Sequence, residues 1–334
     1  DIDMGGREIK VLENNTEFFI DGGRGAKISK SGDDLIIGFQ IGSSLENRRW
    51  STESFAKLAD LLVEKLNARI LLFGVASESK SAEDMIKVTR NKGSVTDLTG
   101  KTDLKKLTGL LKGCDYLVTN DTGTMHLAAA LNTKIIGLFF AHAHPFETAP
   151  YSSGHLIFQA RISCAPCSYG VHCSNIVCVE KVLPEHILTF IESSIEHDIW
   201  QLPSDLENTS ELNIYETVTS VEGLIRLRPI VRRDLVLDDL FRLAYSILWR
   251  ETLISGENVT INSLQNLLVD YKSSDLQAMG EVLRNETELL ETIGELGKEG
   301  SRLCEGIVKS AGHVLPVKLV RFGEEIEKVD KKIE

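Results

Sequence analysis

The sequence contains no run of ~20 consecutive apolar residues, which is the length a helix needs to cross a lipid bilayer, so no membrane-spanning helix is predicted. Positive charge is also scarce: 37 Lys and Arg stand against 49 Asp and Glu, leaving a net charge of −12. This balance argues against broad electrostatic binding to nucleic acid or to anionic lipid. The composition, 42% hydrophobic and 26% charged, is that of a globular protein, and 334 residues predict more than one domain.

Cysteine is rare outside one short stretch. Six cysteines occur, and four of them form a C-x2-C-x5-C-x4-C pattern beside His172: Cys164, Cys167, Cys173 and Cys178. The chain is too long and too rich in apolar residues to depend on disulfides, so we expect a reducing, cytosolic compartment. Four thiols at such spacing could hold a structural zinc ion, but the spacing is not that of a standard zinc finger, and free thiols or disulfides remain open.

Short apolar runs alternate with amphipathic stretches from residue 35 onward. The pattern predicts strands at 35–40, 69–74, 94–100, 115–120 and 134–140, and helices at 51–66, 80–91, 104–113, 124–131 and 183–195. Such alternation indicates βαβ units and therefore an α/β fold, a Rossmann-like parallel sheet with helices on both faces.

The chain divides into three predicted parts. Residues 1–34 are polar and glycine-rich and read as a linker or entry segment, residues 35–197 as the α/β domain, and residues 198–334 as a helical appendage. The glutamate-rich helices of the appendage are expected to pack on the α/β domain or to bind another protein chain. Because the chain begins with DIDMGG and not with Met, we expect it to be a piece of a longer protein.

The stretch VTNDTGTMHLAAAL (118–131) places polar and small residues where a predicted strand passes directly into a predicted helix. Ligands of parallel α/β sheets bind beyond the carboxyl ends of the strands, where helix N-termini present free N–H groups. Asp121, Thr122, Gly123 and His126 would therefore suit a phosphate-bearing ligand. A simple helix cap by Asp121 or Thr122 explains the same residues equally well.

The loop IGSSLENRRW (41–50) follows the first predicted strand and leads into a helix. Ser43 and Ser44 offer hydroxyl and N–H groups to a phosphate, and Arg48 or Arg49 offers a positive charge with several donors. The alternative is a solvated loop with surface arginines.

Two more loops follow strands at the same edge. Glu78 could accept hydrogen bonds from ribose hydroxyls, or it could be an ordinary acidic residue in the first turn of a helix. In TGKTDL (99–104), Thr102 or Asp103 is a candidate helix N-cap.

Together these motifs resemble glycosyltransferase family 9, the heptosyltransferase-like enzymes of lipopolysaccharide synthesis. The resemblance covers roughly residues 35–195 and is carried by GSSLENRRW, the small-residue loop before Glu78, LTGKTDL, NDTGTMHLAAAL with the following IIGLF, and the CxxC stretch after PY. It implies the GT-B architecture, in which two Rossmann-like domains flank the active site and the C-terminal one binds the nucleotide-sugar donor, commonly ADP-heptose. It also implies inverting transfer without a metal cofactor.

The resemblance assigns roles to residues of this chain. Arg48, in place of the family's usual lysine, would be catalytic by stabilising the leaving diphosphate, and Glu78 would bind the nucleoside. The full set of implied donor-binding residues is Ser43, Ser44, Arg48, Glu78, Thr102, Asp121, Thr122, Gly123 and His126.

Three departures limit what the resemblance implies. The family's N-terminal domain, which binds the glycan acceptor and supplies the general base, is absent, so we expect this chain alone to bind donor but not to transfer sugar. The stretch FFAHAHPFETAPY (139–151) replaces the family's usual glycine, proline and threonine, and arginine replaces lysine at position 48.

The expected location is the cytoplasm, at the inner face of the bacterial inner membrane. The hypotheses that compete with glycosyl transfer are a nucleotide-sugar epimerase or hydrolase with the GT-B architecture and a non-catalytic scaffold that works through residues 198–334.

Overall fold

The computed structural model describes residues 19–20, 26–27, 35–168, 170, 173, 175–207, 209–220, 223–232 and 242. The chain separates into two compact units, residues 1–232 and 233–334. Residues 233–334 of the predicted helical appendage lie, apart from residue 242, outside the described residues. Of the predicted linker, two short strands are described, β1 (Phe19–Ile20) and β2 (Ala26–Lys27), which pair in antiparallel fashion.

An eight-stranded, mostly parallel sheet forms the centre of the first unit, in the order β10-β9-β8-β7-β6-β3-β4-β5. Its strands are β3 (Ile36–Gln40), β4 (Arg69–Phe73), β5 (Val95–Asp97), β6 (Tyr116–Asn120), β7 (Lys134–Phe139), β8 (Leu156–Ala160), β9 (Leu212–Thr219) and β10 (Ile225–Pro229). β3 to β8 run parallel, whereas β9 is antiparallel to both of its neighbours. The predicted Rossmann-like α/β fold is confirmed.

Helices cover both faces of this sheet. They are α1 (Thr52–Leu66), α2 (Ser79–Val88), α3 (Leu104–Gly113), α4 (Gly123–Ala130), α5 (Pro145–Thr148), α6 (Val177–Lys181) and α7 (Pro184–His197). One apolar core joins the sheet to α1, α2, α6 and α7, and a second joins it to α3, α4 and α5. Within the described residues, none of the helices combines the length and the apolar composition that a bilayer span requires.

Helix α1 shows how local sequence sets these elements. The hydroxyl of Ser51 accepts a hydrogen bond from the backbone N–H of Ser54 at 3.0 Å and caps the helix. Asn67 ends it in the left-handed conformation, with a φ of 51°. Phe55 and Leu58 lie on one face and are fully buried, as the spacing predicts.

The sheet continues past residue 197, where the sequence analysis placed the end of the α/β domain. No helix lies between β9 and β10, so the alternation of strands and helices that predicted the rest of the domain gives no signal for this pair. β8 was also missed, because its run LIFQA is short and precedes the irregular cysteine stretch. The remaining predicted strands and helices are present, with ends shifted by a few residues.

Candidate functional site

A cleft of about 810 Å³ opens at the carboxyl ends of β3, β4 and β6. β3 lies between β4 and β6 in the sheet, so the chain changes direction across the sheet at this point, and the loops after these strands diverge to leave a crevice. The residues that line it are Gln40, Ser43, Ser44, Arg49, Gly74, Val75, Ala76, Ser77, Glu78, Gly100, Thr102, Asp103, Leu104, Leu107, Thr122, Gly123 and Thr124.

Asn120, the last residue of β6, holds the loop after β3 in place. Its side-chain amide donates to the carbonyls of Ile41 at 3.0 Å and Gly42 at 3.2 Å, and its Oδ1 accepts from the backbone N–H of Trp50 at 2.9 Å. Because Asn120 is fully buried, these bonds are shielded from water and fix the loop that carries Ser43.

Glu78 is enclosed by two glycines. A Cβ built on Gly42 would lie 1.7 Å from the carboxylate of Glu78, and one on Gly74 would lie 2.7 Å from it. The same carboxylate accepts from the backbone N–H of Val75 at 2.9 Å. Gly42 and Gly74 therefore leave the space that lets Glu78 reach the cleft.

Gln40 connects two sides of the cleft. Its Oε1 accepts from the hydroxyl of Thr124 at 3.1 Å, and its Nε2 donates to Glu78 at 3.4 Å. Neither Gln40 nor Asn120 was predicted from the sequence as part of the site. Each is a polar amide at the end of an otherwise apolar strand, and this pattern could have indicated them, because a buried polar side chain nearly always makes hydrogen bonds.

Helix α4 begins at the cleft, with Thr122 as its N-cap residue. The Thr122 side chain makes no capping hydrogen bond, and its hydroxyl lies 3.4 Å from that of Thr119. A Cβ built on Gly123 would meet no atom within 4 Å, so the helix start is open to the cleft. The capping explanation for Thr122 is therefore wrong. The N–H of Met125 donates to the Thr122 carbonyl at 3.1 Å, which leaves the N–H groups of Gly123 and Thr124 to face a ligand.

Arg48 is paired with Asp121. Its Nη2 donates to the Asp121 carboxylate and, at 3.3 Å, to the Asp121 carbonyl, while the Thr148 hydroxyl donates to the same carboxylate at 3.0 Å. The two charged side chains are only 15% and 8% exposed. The Nε–H of Arg48 is buried without a partner among the described residues, yet the side chain does not line the cleft. Together these contacts tie three loops to one another.

Arg49, unlike Arg48, lines the cleft. Its Nε and Nη2 both donate to the carbonyl of Ser43, at 2.9 Å and 2.7 Å. The hydroxyl of Ser43 itself is buried and has no hydrogen-bond partner among the described residues. The two groups are neighbours on one wall.

The structure thus brings together most of the predicted site. The residues that line the cleft are Ser43, Ser44, Glu78, Thr102, Thr122 and Gly123. Arg48 and Asp121 lie immediately behind this wall as an ion pair. His126 is exposed on α4 and is not among the lining residues.

One rim of the cleft is apolar. Val75 is 61% exposed and Leu104 is 70% exposed, and both line the cleft beside Ala76 and Leu107. Large apolar side chains left in water at the edge of a polar cleft are typical of a surface that packs against part of a ligand.

The described residues of the cysteine stretch show no metal centre. Cys164, Cys167, Cys173 and Cys178 are free thiols, and among the described residues no three His, Cys, Asp or Glu side chains are placed to hold one metal ion. Burial and, secondarily, the neighbouring cysteines raise the pKa of the Cys167 thiol, and burial raises that of Cys178. A metal would have to displace these protons. His172 lies outside the described residues, and the structural metal stays a prediction.

The sheet order and the cleft at its switch point define a Rossmann-like α/β domain with a ligand site at the carboxyl edge. Residues 15–174 match the family model for glycosyltransferase family 9 (heptosyltransferase). This segment of the chain is therefore similar to the heptosyltransferases of glycosyltransferase family 9.

The chain is also similar to individual heptosyltransferases over part of its length. The chain is 35% identical over 131 residues to lipooligosaccharide heptosyltransferase 2 of Haemophilus influenzae, covering 38% of this chain and 37% of that protein. It is 31% identical over 129 residues to lipopolysaccharide heptosyltransferase 2 of Escherichia coli, covering 38% and 36%. The solved structure of E. coli ADP-heptose lps heptosyltransferase II aligns with a TM-score of 0.44 at 25% identity over 50% of this chain and 48% of that one. The match to these two curated relatives thus spans less than two fifths of their length.

Proposed function

We propose that the α/β domain is the donor-binding half of a heptosyltransferase. It would hold a nucleoside-diphosphate sugar of the ADP-heptose type, for inverting transfer of the sugar to a lipopolysaccharide or related glycan acceptor. The observation that carries this proposal is the single cleft in which Ser43, Glu78 and Thr122 meet, at the edge where three parallel strands end.

Each part of the cleft suits one part of such a donor. The open start of α4 at Gly123 and the serine loop offer N–H and hydroxyl groups to the diphosphate. Glu78, enclosed by glycines, presents carboxylate oxygens that can accept from ribose hydroxyls. The exposed apolar side chains of Val75 and Leu104 provide a surface for the nucleobase.

The chemistry follows from charge. When the bond between the sugar and the diphosphate breaks, negative charge accumulates on the leaving nucleoside diphosphate. A helix N-terminus and a fixed guanidinium stabilise that charge without rearranging as it forms. We propose that this transfer needs no metal, and that the acceptor site and the general base lie in a part of the enzyme other than this α/β domain.

Two finer proposals accompany this one. Because lipid-linked glycan acceptors are held at a membrane, the complete enzyme would work in the cytoplasm against the inner face of the bacterial inner membrane. Residues 198–334, which lie outside the family match at residues 15–174, would provide a contact for a protein partner.

Isothermal titration of the full chain with ADP, GDP, UDP and CDP tests the proposal. We expect at least one to bind, and Asp121→Ala to weaken it by about tenfold or more, because the loss of the ion pair releases the loops that Arg48 and Thr148 hold. Asp198→Ala, which removes an exposed carboxylate paired with Lys134, is the matched control and should bind like wild type. The proposal is wrong if none of the four binds, or if Asp121→Ala is indistinguishable from wild type.

A further inference from the structure

We propose that Gln40 is a positioning residue of the cleft, which fixes the separation between Glu78 and the start of α4. The inference rests on the proposed function, because it takes the ligand to be a nucleoside diphosphate whose ribose contacts Glu78 and whose phosphates approach α4. These two parts of one ligand are covalently linked. The protein groups that meet them bind most tightly when they are already held at a matching distance before the ligand arrives.

Gln40 lies between the two walls of the cleft. It is the last residue of β3, the strand between β4 and β6. In the parallel register it is beside Phe73 of β4 and Thr119 of β6, so the loops that follow these two strands leave the sheet on either side of it. The loop after β4 leads to Glu78, and the loop after β6 leads into α4. The side chain of Gln40 is only 6% exposed and lines the cleft, where it contacts both walls.

The two contacts of Gln40 fix the orientation of its amide. An ionised carboxylate only accepts hydrogen bonds, so the group that faces Glu78 at 3.4 Å is Nε2, which donates. Oε1 consequently faces the other wall and accepts from the Thr124 hydroxyl at 3.1 Å. Thr124 lies in the first turn of α4, directly after Gly123. A hydrogen-bonded bridge therefore runs from Glu78 through the Gln40 amide to Thr124.

This bridge leaves Glu78 able to meet a ligand. The Val75 N–H, at 2.9 Å, and the Gln40 amide both donate to one carboxylate oxygen, Oε2. The other oxygen, Oε1, has no hydrogen-bond partner among the described residues and is left for a ligand hydroxyl. Without the Gln40 amide, Val75 would still hold the carboxylate, but the carboxylate would no longer be tied to α4. The loss should therefore fall on a ligand that spans both walls.

Gln40→Met tests the bridge, because methionine has a similar length but lacks the donor and acceptor of the amide. Isothermal titration of the full chain compares the nucleoside diphosphate that binds wild type best with its parent nucleoside. We expect about tenfold weaker binding of the diphosphate and less than about threefold weaker binding of the nucleoside, which needs only one wall. Gln159→Met is the matched control, since Gln159 is similarly buried near the end of β8 but does not line the cleft, and it should change neither affinity.

A double-mutant cycle separates positioning from direct contact with the ligand. Thr124→Val breaks the same bridge at its other end. Once Thr124→Val is present, we expect Gln40→Met to weaken diphosphate binding by less than about twofold further. Additive losses would mean that Gln40 contacts the ligand itself, and equal losses for nucleoside and diphosphate would mean that it acts on Glu78 alone. Either result, or wild-type affinity in Gln40→Met, overturns the inference and leaves the proposed function standing, because wild type still binds.

Amide hydrogen exchange gives a readout that needs no ligand. We expect Gln40→Met to speed exchange in segments 74–78 and 122–126, and Gln159→Met to leave exchange there unchanged. Unchanged exchange of both segments in Gln40→Met overturns the inference. Faster exchange in Gln40→Met, with no nucleoside diphosphate bound by wild type, supports the bridge and refutes the donor function.

Discussion

Replacing Gly123 by alanine separates the ligand-binding role of the start of α4 from its structural role. A Cβ at this position would have no protein atom within 4 Å, and Gly123 is not one of the glycines with a positive φ. The added methyl group should therefore cost the free protein nothing and gain up to about 1 kcal/mol from the better helix propensity of alanine. The methyl would, however, extend into the cleft beside Thr122 and Thr124.

The expected cost falls on the complex. Forcing a methyl group into a closely packed contact typically costs roughly 1–3 kcal/mol, so we expect about 5- to 150-fold weaker binding of the nucleoside diphosphate. Gly113→Ala, at the end of α3, is the matched control, because its Cβ also meets no atom and the residue does not line the cleft. Titration and thermal unfolding of both variants measure the two effects. If Gly123→Ala binds like Gly113→Ala, the diphosphate does not approach the start of α4 and the reasoning is refuted.

Three further predictions concern the same domain. Asp121→Asn should lower the free energy of unfolding by roughly 3 kcal/mol, measured in urea, because it leaves the buried Arg48 guanidinium without a counter-charge. Leu104→Ser should weaken nucleoside binding by about fivefold without changing the melting temperature. Val88, which is also apolar and exposed but lies outside the cleft, provides the control, and Val88→Ser should change neither the affinity nor the melting temperature. Burial lowers the pKa of His155 from 6.5 to about 4. The unfolded chain then binds this proton more readily, so the unfolding free energy should be greatest above pH ~6.5 and fall by roughly 3 kcal/mol towards pH ~4.

Each of these has an outcome that would contradict it. Asp84→Asn disrupts only exposed ion pairs on α2 and should cost less than about 0.5 kcal/mol, so an equal loss in Asp121→Asn would mean that burial does not strengthen the Arg48 pair. Unchanged nucleoside affinity in Leu104→Ser would remove the apolar rim from the site. A free energy of unfolding that stays constant between pH 6.5 and 4.5 would show that His155 can take up a proton in the folded state.

Five of the eight strands, including those that end at the cleft, could be predicted from the sequence because they are short apolar runs separated by helices. The signals there are local, such as the Ser51 cap and the Pro184 start of α7, and they are strong. β9 and β10 were missed because no helix separates them, and because the antiparallel pairing of β9 with β8 depends on contacts far apart in the chain.

The candidate site, like the fold, could be predicted from the sequence only in part. Residues at strand ends and helix starts, such as Ser43 and Thr122, could be chosen because the topology places all such loops at one edge. Which of Arg48 and Arg49 lines the cleft could not be predicted from the residues of the loop, because adjacent residues in an irregular loop point in directions that no periodicity describes. What separates them is the partner of each, Asp121 for one and the Ser43 carbonyl for the other, and those partners are set by tertiary contacts.

Because Gly42 and Gly74 enclose the Glu78 side chain, the residues tolerated at these three positions depend on one another. Since a side chain at position 42 would occupy the same space as the Glu78 carboxylate, a change away from glycine there displaces this carboxylate or favours a shorter residue at position 78. Homologues should therefore show correlated substitutions at positions 42, 74 and 78. A mutant library that varies Glu78 to alter nucleoside preference should also vary both glycines. A substitution at position 78 alone can leave the space beside Gly42 and Gly74 empty, and a substitution at either glycine alone introduces a clash with Glu78.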